Sequence, residues 1–190
     1  RAIASPWFEA IPKRQSTRAE FDGKPLSVAE LNLLEQAGAG RGVSIRLITD
    51  KPSMEQVLEF VVAGNSNQMN DAAFMNELKQ WIRFSDAEAM RAGDGLATRT
   101  TGNPSVPRWL ASPLSGWFFS ADSENAKYAK HIRSSAGIAV FVSDADDKAH
   151  WIEAGRCYER FALQATALGI RTAFVNQPVE VASIRPRFAS

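Results

Sequence analysis

The stretch KRQSTRAEFDGKPLS, residues 13 to 27, gathers Lys13, Arg14, Arg18 and Lys24 around a Gln15–Ser16–Thr17 step. Guanidinium groups beside a hydroxyl suit an oxyanion. They supply fixed positive charge that does not titrate near neutral pH, and donors that fork onto two oxygens. In a chain with 22 basic and 21 acidic residues and a net charge of +1, such a local concentration stands out. Two readings fit these residues alone: a seat for an anion, or a solvated approach to a helix.

Other groups with chemical potential are weaker. GAGRG, residues 38 to 42, follows a helical pattern and precedes a strand, whereas a dinucleotide loop must follow a strand and open a helix. No G-x-S-x-G elbow occurs. His131 and His150 fall on different elements, and no His or Cys pair has zinc spacing. His150 and Cys157 are seven apart and could share a helix face as a thiolate–imidazole dyad, although a buried inert cysteine is the commoner case. Asp144, Asp146 and Asp147 form an acidic turn that could hold calcium but better serves as a solvated loop with helix N-terminal charges.

A chain of 190 residues, 45% hydrophobic and 23% charged, predicts one globular domain over residues 1–190 with a sizeable core. The balanced charge gives no ground for a nucleic-acid or membrane partner. A single cysteine, Cys157, excludes an internal disulfide. The chain has no run of about 18 apolar residues. It opens with RAIASPWFEA, which has no signal-peptide apolar region and starts with Arg, so a processed product or a fragment is expected.

The elements that must position the basic cluster follow from pattern. SVAE, residues 27 to 30, is a capping box that starts a helix ending near Gly38. VSIRLITD, 43 to 50, reads as a strand. A helix follows, starting at Pro52 or Ser53, with Gly64 as its C-terminal signal. DAAFMNELKQWIRF, 71 to 84, predicts another helix. Residues 93 to 120 carry glycines, prolines and tryptophans without a lasting period, and read equally as a lid over a site or as a surface excursion. ENAKYAKHIRSS predicts a short helix, and AGIAVFVS, 136 to 143, a buried strand. Residues 148 to 170 predict the long core helix, ended by Gly169, before a last strand in IRTAFVNQPVEV. The order predicts an α+β or α/β sandwich with a small sheet.

Three segments resemble the flavin-dependent nitroreductase family. RQSTR, Arg14 to Arg18, is similar to its opening R-x-S-x-R/K signature. NELK, Asn76 to Lys79, is similar to an Asn-x-x-Lys step used on the flavin ring. ALGIRTAFVNQPVEV is similar to the core-helix end and following turn. The resemblance spans roughly residues 8 to 184 and implies an α+β fold, a three-layer α/β/α sandwich with a small mixed sheet around a long central helix. It implies FMN as cofactor, with Arg14, Gln15 and Ser16 on the phosphate and ribityl chain and Arg18 and Lys79 near the N1–C2=O edge. Asn76 would hydrogen-bond the pyrimidine edge, and the Val175–Asn176–Gln177 turn would offer an N–H toward N5. A fixed cation beside that edge would favour the negative charge that arrives with hydride. Read from the residues alone, Arg14 and Arg18 equally suit ion pairs with Glu9 or Glu20, Lys79 a solvated helix position, and Asn176 a turn.

The chain departs from the family after its first helix, where the segment lining a neighbouring flavin is missing, and at its end, where a basic clamp is missing. Both departures are similar to the Acg-like branch, in which one longer polypeptide contains two nitroreductase-like halves, this chain resembling the second. The implied function is an FMN-dependent oxidoreductase passing hydride from NAD(P)H to a nitroaromatic or quinone-like acceptor, as a homodimer or beside a second half. The implied setting is cytoplasmic, or exported by a twin-arginine signal on a longer parent. The rival readings are a flavin-binding or flavin-storing module and a structural half-domain without turnover.

Overall fold

A computed structural model describes residues 5–101 and 120–190. Most of the lid-like stretch expected over 93–120 lies outside the described residues. The described chain runs α1 (Pro6–Ala10), a 3-10 turn (Ile11–Lys13), α2 (Val28–Gly38), β1 (Val43–Ile48), α3 (Lys51–Asn70), α4 (Ala72–Trp81) and β2 (Ile82–Arg83). It continues through α5 (Asp86–Ala92), β3 (Leu96–Ala97), a second 3-10 turn (Thr98–Thr101), α6 (Ala121–Ser134), β4 (Ile138–Ser143), α7 (Lys148–Ala167), α8 (Gln177–Glu180) and α9 (Arg185–Ala189). The class is α+β, as the sequence predicts. Among the described residues no helix is long and apolar enough to cross a membrane.

Two compact units emerge. The first takes Arg1–Thr17, Phe21–Met54 and Ile132–Phe174, and the second Arg18–Glu20, Glu55–His131 and Val175–Ser190. In the first unit β1 and β4 pair antiparallel from Val43↔Ser143 to Ile48↔Ile138. Alternation puts Ile45, Leu47, Ala139 and Phe141 on one face, where they meet Leu34 of α2 and Phe161 and Ala165 of α7. Burying each large member contributes roughly 1.5–3 kcal/mol. α2 begins as predicted: the Ser27 hydroxyl accepts from the Glu30 N–H at 3.3 Å, and the Glu30 carboxylate accepts from the Ser27 N–H at 2.7 Å. The Trp7 indole donates to Gln164 at 2.7 Å and ties α1 to α7.

In the second unit α3 buries Val57, Leu58 and Val61. β2 and β3 form a two-residue parallel pair, Ile82↔Leu96 and Arg83↔Ala97, beside the small cluster of Ile82 and Phe84.

Five local expectations change. α3 starts at Lys51, one residue before the expected Pro52, because the Asp50 carboxylate accepts the Ser53 N–H at 2.9 Å. It does not stop at Gly64 but runs to Asn70. Residues 82 and 83 leave the helix predicted over 71–84, since Arg83 is drawn out by Asp94 at 2.6 Å. The strand expected after Gly169 shrinks to one parallel bridge, Ser16↔Thr172. β4 is half-buried rather than buried: Ile138 to Phe141 are intermediate and Val142 and Ser143 are exposed.

Candidate functional site

In the first unit the part of the basic segment from Lys13 to Thr17 is held at both ends. The 3-10 turn ends where the Arg14 N–H donates to Ala10 O at 2.9 Å. The chain is then extended through Gln15 and Ser16, and the Thr17 N–H donates to Thr172 O at 2.8 Å. Thr172 arrives there because Gly169 takes φ +77° at the end of α7, a left-handed turn that glycine adopts without strain. The Ile170 N–H then closes on Ala165 O at 2.8 Å. The Leu-Gly step read from the sequence therefore aims the returning chain at the Arg-Gln-Ser segment.

Arg14 Nε lies 3.5 Å from Glu159 Oε1 on α7, with side-chain exposures of 37% and 50%. Beside Glu159 on α7 stands Tyr158. Burial raises the phenol's pKa, the Arg14 charge opposes that, and the Glu159 charge adds to it. The Tyr158 ring lies 4.6 Å from Phe174 and 6.1 Å from Phe141, centroid to centroid. Phe174 is 52% exposed. A guanidinium, nearby hydroxyls and an exposed ring suit a phosphorylated ligand, with Glu159 as an opposing charge.

The second unit holds the other predicted residues. Asn76 and Lys79 lie three apart on α4, both exposed, on a helix capped by Asp71 accepting the Ala73 and Phe74 N–H groups at 2.7 and 3.3 Å. Arg18 is exposed, and its charge bears on Tyr128 and His131. Glu20 reaches Lys130 at 3.8 Å.

The turn Val175–Asn176–Gln177 opens α8 against α3. A Cβ on Gly64 would meet Gln177 Cβ at 2.7 Å and its carbonyl carbon at 2.9 Å, which is why a glycine stands inside α3. Gln177 is 8% exposed, and its Oε1 is buried without a hydrogen-bond partner among the described residues. Tyr128 beside it has a raised pKa, from burial first and then the Glu124 charge, with the Gln177 side chain and Arg18 pulling the other way. Neighbouring joints are polar. The Asn65 amide donates to Asn125 at 2.8 Å, Asn125 donates to Ser66 at 3.0 Å, and Gln68 donates to Glu180 at 2.9 Å.

The rejected motifs have structural roles. GAGRG closes over α7, with a Gly40 Cβ barred by Glu153 and Cys157, and Arg160 donates to the Ala37 and Ala39 carbonyls at 3.2 and 3.0 Å. Carbonyls there face a cation, the reverse of an anion seat. Cys157 is fully buried and burial pushes its thiol up. His150 Nδ1 sits 2.8 Å from Asp147, and Asp147 caps α7 by accepting the His150 N–H at 3.0 Å. Asp146 accepts the Trp151 indole N–H at 2.7 Å.

Sequence reading missed Tyr158, Glu159, Thr172 and Phe174 in the first unit and Gly64 and Tyr128 in the second. The ion-pair alternative for Arg14 and Arg18 named Glu9 or Glu20, and Arg14 is instead paired with Glu159. Charge complementarity was visible, but it carries no position when the partner lies far along the chain.

No family model matches the chain. Over 179 residues it is 25% identical to two proteins from two strains of Mycobacterium tuberculosis, each named "Putative NAD(P)H nitroreductase". The alignment covers 93% of this chain and 48% of each relative, so the chain spans about half the length of the curated relatives it matches. Across nearly its whole length, the chain is similar to proteins that carry the nitroreductase name.

Proposed function

We propose that the chain is the flavin-binding part of an FMN-dependent oxidoreductase that passes hydride from NAD(P)H to a nitroaromatic or quinone-like acceptor. The similarity over 93% of the chain to relatives named as NAD(P)H nitroreductases carries this reading. The coverage of about half of each relative supports its extension to a two-half polypeptide, or to a homodimer that completes the same arrangement.

The residues present fit the cofactor's phosphate end. Arg14 has an exposed guanidinium in a long, weak ion pair, and Ser16 is exposed on the segment fixed by Thr172. When bound, FMN would supply the two-electron carrier that no side chain of this protein can replace. Arg14 and Ser16 would hold its phosphate, with Gln15 beside them. Arg18, Asn76, Lys79, Val175, Asn176 and Gln177 are assigned to the ring by the resemblance alone. Fixed cations there would favour negative charge at the ring edge.

The purified chain is expected to be yellow, with FMN as the chromophore released on denaturation. Arg14→Ala should weaken FMN binding by about ten- to a hundredfold, the loss of a charge-assisted phosphate contact. Arg41→Ala, in an exposed glycine-rich turn with no assigned role, should leave it unchanged. A colourless protein with no spectral change in excess FMN removes the reading. Bound FMN that reduced nicotinamide never bleaches reduces it to a flavin-storing module.

A further inference from the structure

We propose that the Gln177 side-chain carbonyl is a ligand acceptor, buried and unpaired in the free chain, that receives an N–H of the flavin ring. The inference rests on the FMN reading above and goes beyond it. The resemblance assigns this turn a backbone N–H, which is a donor, whereas the structure adds an acceptor.

Three polar side chains are buried among the described residues: Asn65 at 5%, Thr98 at 4% and Gln177 at 8% exposure. Asn65 donates to Asn125 at 2.8 Å, and the Thr98 hydroxyl donates to Phe84 O at 3.1 Å. Gln177 Oε1 is the exception, with no partner among the described residues. The exception is unfavourable in the free chain, because a buried acceptor loses its bonds to water and receives none in return.

The backbone that carries this amide is fixed. Asn176 O accepts the Val179 and Glu180 N–H groups at 2.9 and 3.0 Å, and Gln177 O accepts the Val181 N–H at 3.1 Å. Pro178 is fully buried, Gly64 admits the Gln177 main chain where a Cβ would strike it, and Gln68 ties Glu180 to α3 at 2.9 Å. A segment held in this way leaves little backbone freedom for a ligand to remove. An amide carbonyl also selects chemistry. It takes N–H or O–H groups and rejects phosphate and carboxylate oxygens, which are acceptors themselves. The flavin ring has an N–H at N3 in both redox states and gains a second when hydride reaches N5. A ring N–H is the chemistry common to both, and the redox state of the ligand separates them.

The test is a titration of the full chain, followed by tryptophan quenching, with FMN and with riboflavin, each oxidised and, without oxygen, reduced by dithionite. Gln177→Met keeps the length of the side chain and removes the carbonyl. Its urea midpoint without flavin should equal or exceed that of the wild type, since no orphaned acceptor remains. It should weaken flavin binding by about tenfold, equally for FMN and riboflavin in the same redox state, because the two share the ring. A loss in both redox states identifies the N–H at N3, and a loss confined to the reduced flavins identifies the one at N5. A lower urea midpoint shows that the amide is satisfied in the free chain and overturns the inference. Affinities equal to wild type in both redox states, or a loss with FMN but not with riboflavin, overturn it and leave the flavin reading standing. A wild-type chain that binds neither flavin in either state removes both.

Discussion

In the first unit Leu34, Ile45, Phe161 and Ala165 form one apolar cluster between two helices and a two-stranded sheet. In the second, beside the buried Val57, Leu58 and Val61 of α3, the described residues include polar joints between α3, α6 and α8: Asn65 to Asn125, Asn125 to Ser66 and Gln68 to Glu180, with Gly64 against Gln177. The two modes have different tolerances. An apolar cluster accepts any set of side chains of the right volume and loses stability with each methylene removed. A polar joint contributes little net free energy but fixes register, because each buried amide without its partner costs about 1–3 kcal/mol. The second unit already carries one such cost at Gln177 Oε1. A buried carbonyl oxygen without a donor, in the turn that the resemblance places beside the flavin, matches the general tendency for functional segments to retain unsatisfied groups.

The contrast predicts its largest effect in the first unit. Leu34 is 2% exposed at the centre of the apolar cluster. Leu34→Ala should cost about 2–5 kcal/mol, read as a lowered urea midpoint. A loss below about 1 kcal/mol would mean that the cluster closes over the vacancy, and the distinction between the units would weaken.

A pair of glycines sharpens the comparison. Gly64 and Gly155 both sit inside long helices, α3 and α7. Around Gly155 a Cβ would meet nothing within 4 Å, whereas at Gly64 it would strike Gln177 backbone atoms at 2.9 and 3.0 Å. Gly155→Ala should therefore gain the helix preference of alanine, about 0.5–1 kcal/mol. Gly64→Ala should lose about 1–3 kcal/mol as α8 is pushed away, despite the same propensity gain. Opposite signs in one denaturation series are the expected outcome. Two stabilised variants would show that α8 yields easily, and Gln177 would then not be held by this contact.

These glycines also show what the sequence discloses. The Ser27–Glu30 capping box, the β1 segment and the Gly169 stop depend on residues within a few positions of each other, and each stands where the pattern puts it. Gly64 was misread because a glycine that ends a helix and a glycine that admits a distant backbone are identical in a linear string. The candidate site divides in the same way. Arg14 and Ser16 were legible as an anion-binding type, since charge and hydroxyl lie side by side. Glu159 and Thr172 were not, because Glu159 meets Arg14 only where the N-terminal segment lies on α7, and Thr172 only through the return of the chain after Gly169.

The smallest expected effect belongs to the polar face of the second unit, at His131. Its pKa is lowered from the ordinary 6.5, by burial first, with the cations Lys127 and Arg18 adding to that and Glu20 and Glu124 opposing it. A histidine that is harder to protonate folded than unfolded makes the unfolded state the better proton binder, so stability rises with pH across the window between the two values. The contribution is complete above about pH 6.5, where both states are neutral, and is lost as pH falls through the lowered folded value. Glutamine in place of His131 retains polarity and cannot titrate there, so His131→Gln should remove this part of the pH dependence. Urea midpoints of the two proteins should thus diverge at neutral pH and approach each other, or cross, as pH falls from about 8 to about 5. Proton NMR gives the direct check, because the chain has two histidines, His131 and His150, and their ring signals can be assigned by substitution. A His131 midpoint at or above the ordinary value, or midpoints that run parallel across the whole range, would show that the neighbouring carboxylates prevail over burial. The polar face of the second unit would then be better solvated than its packing implies.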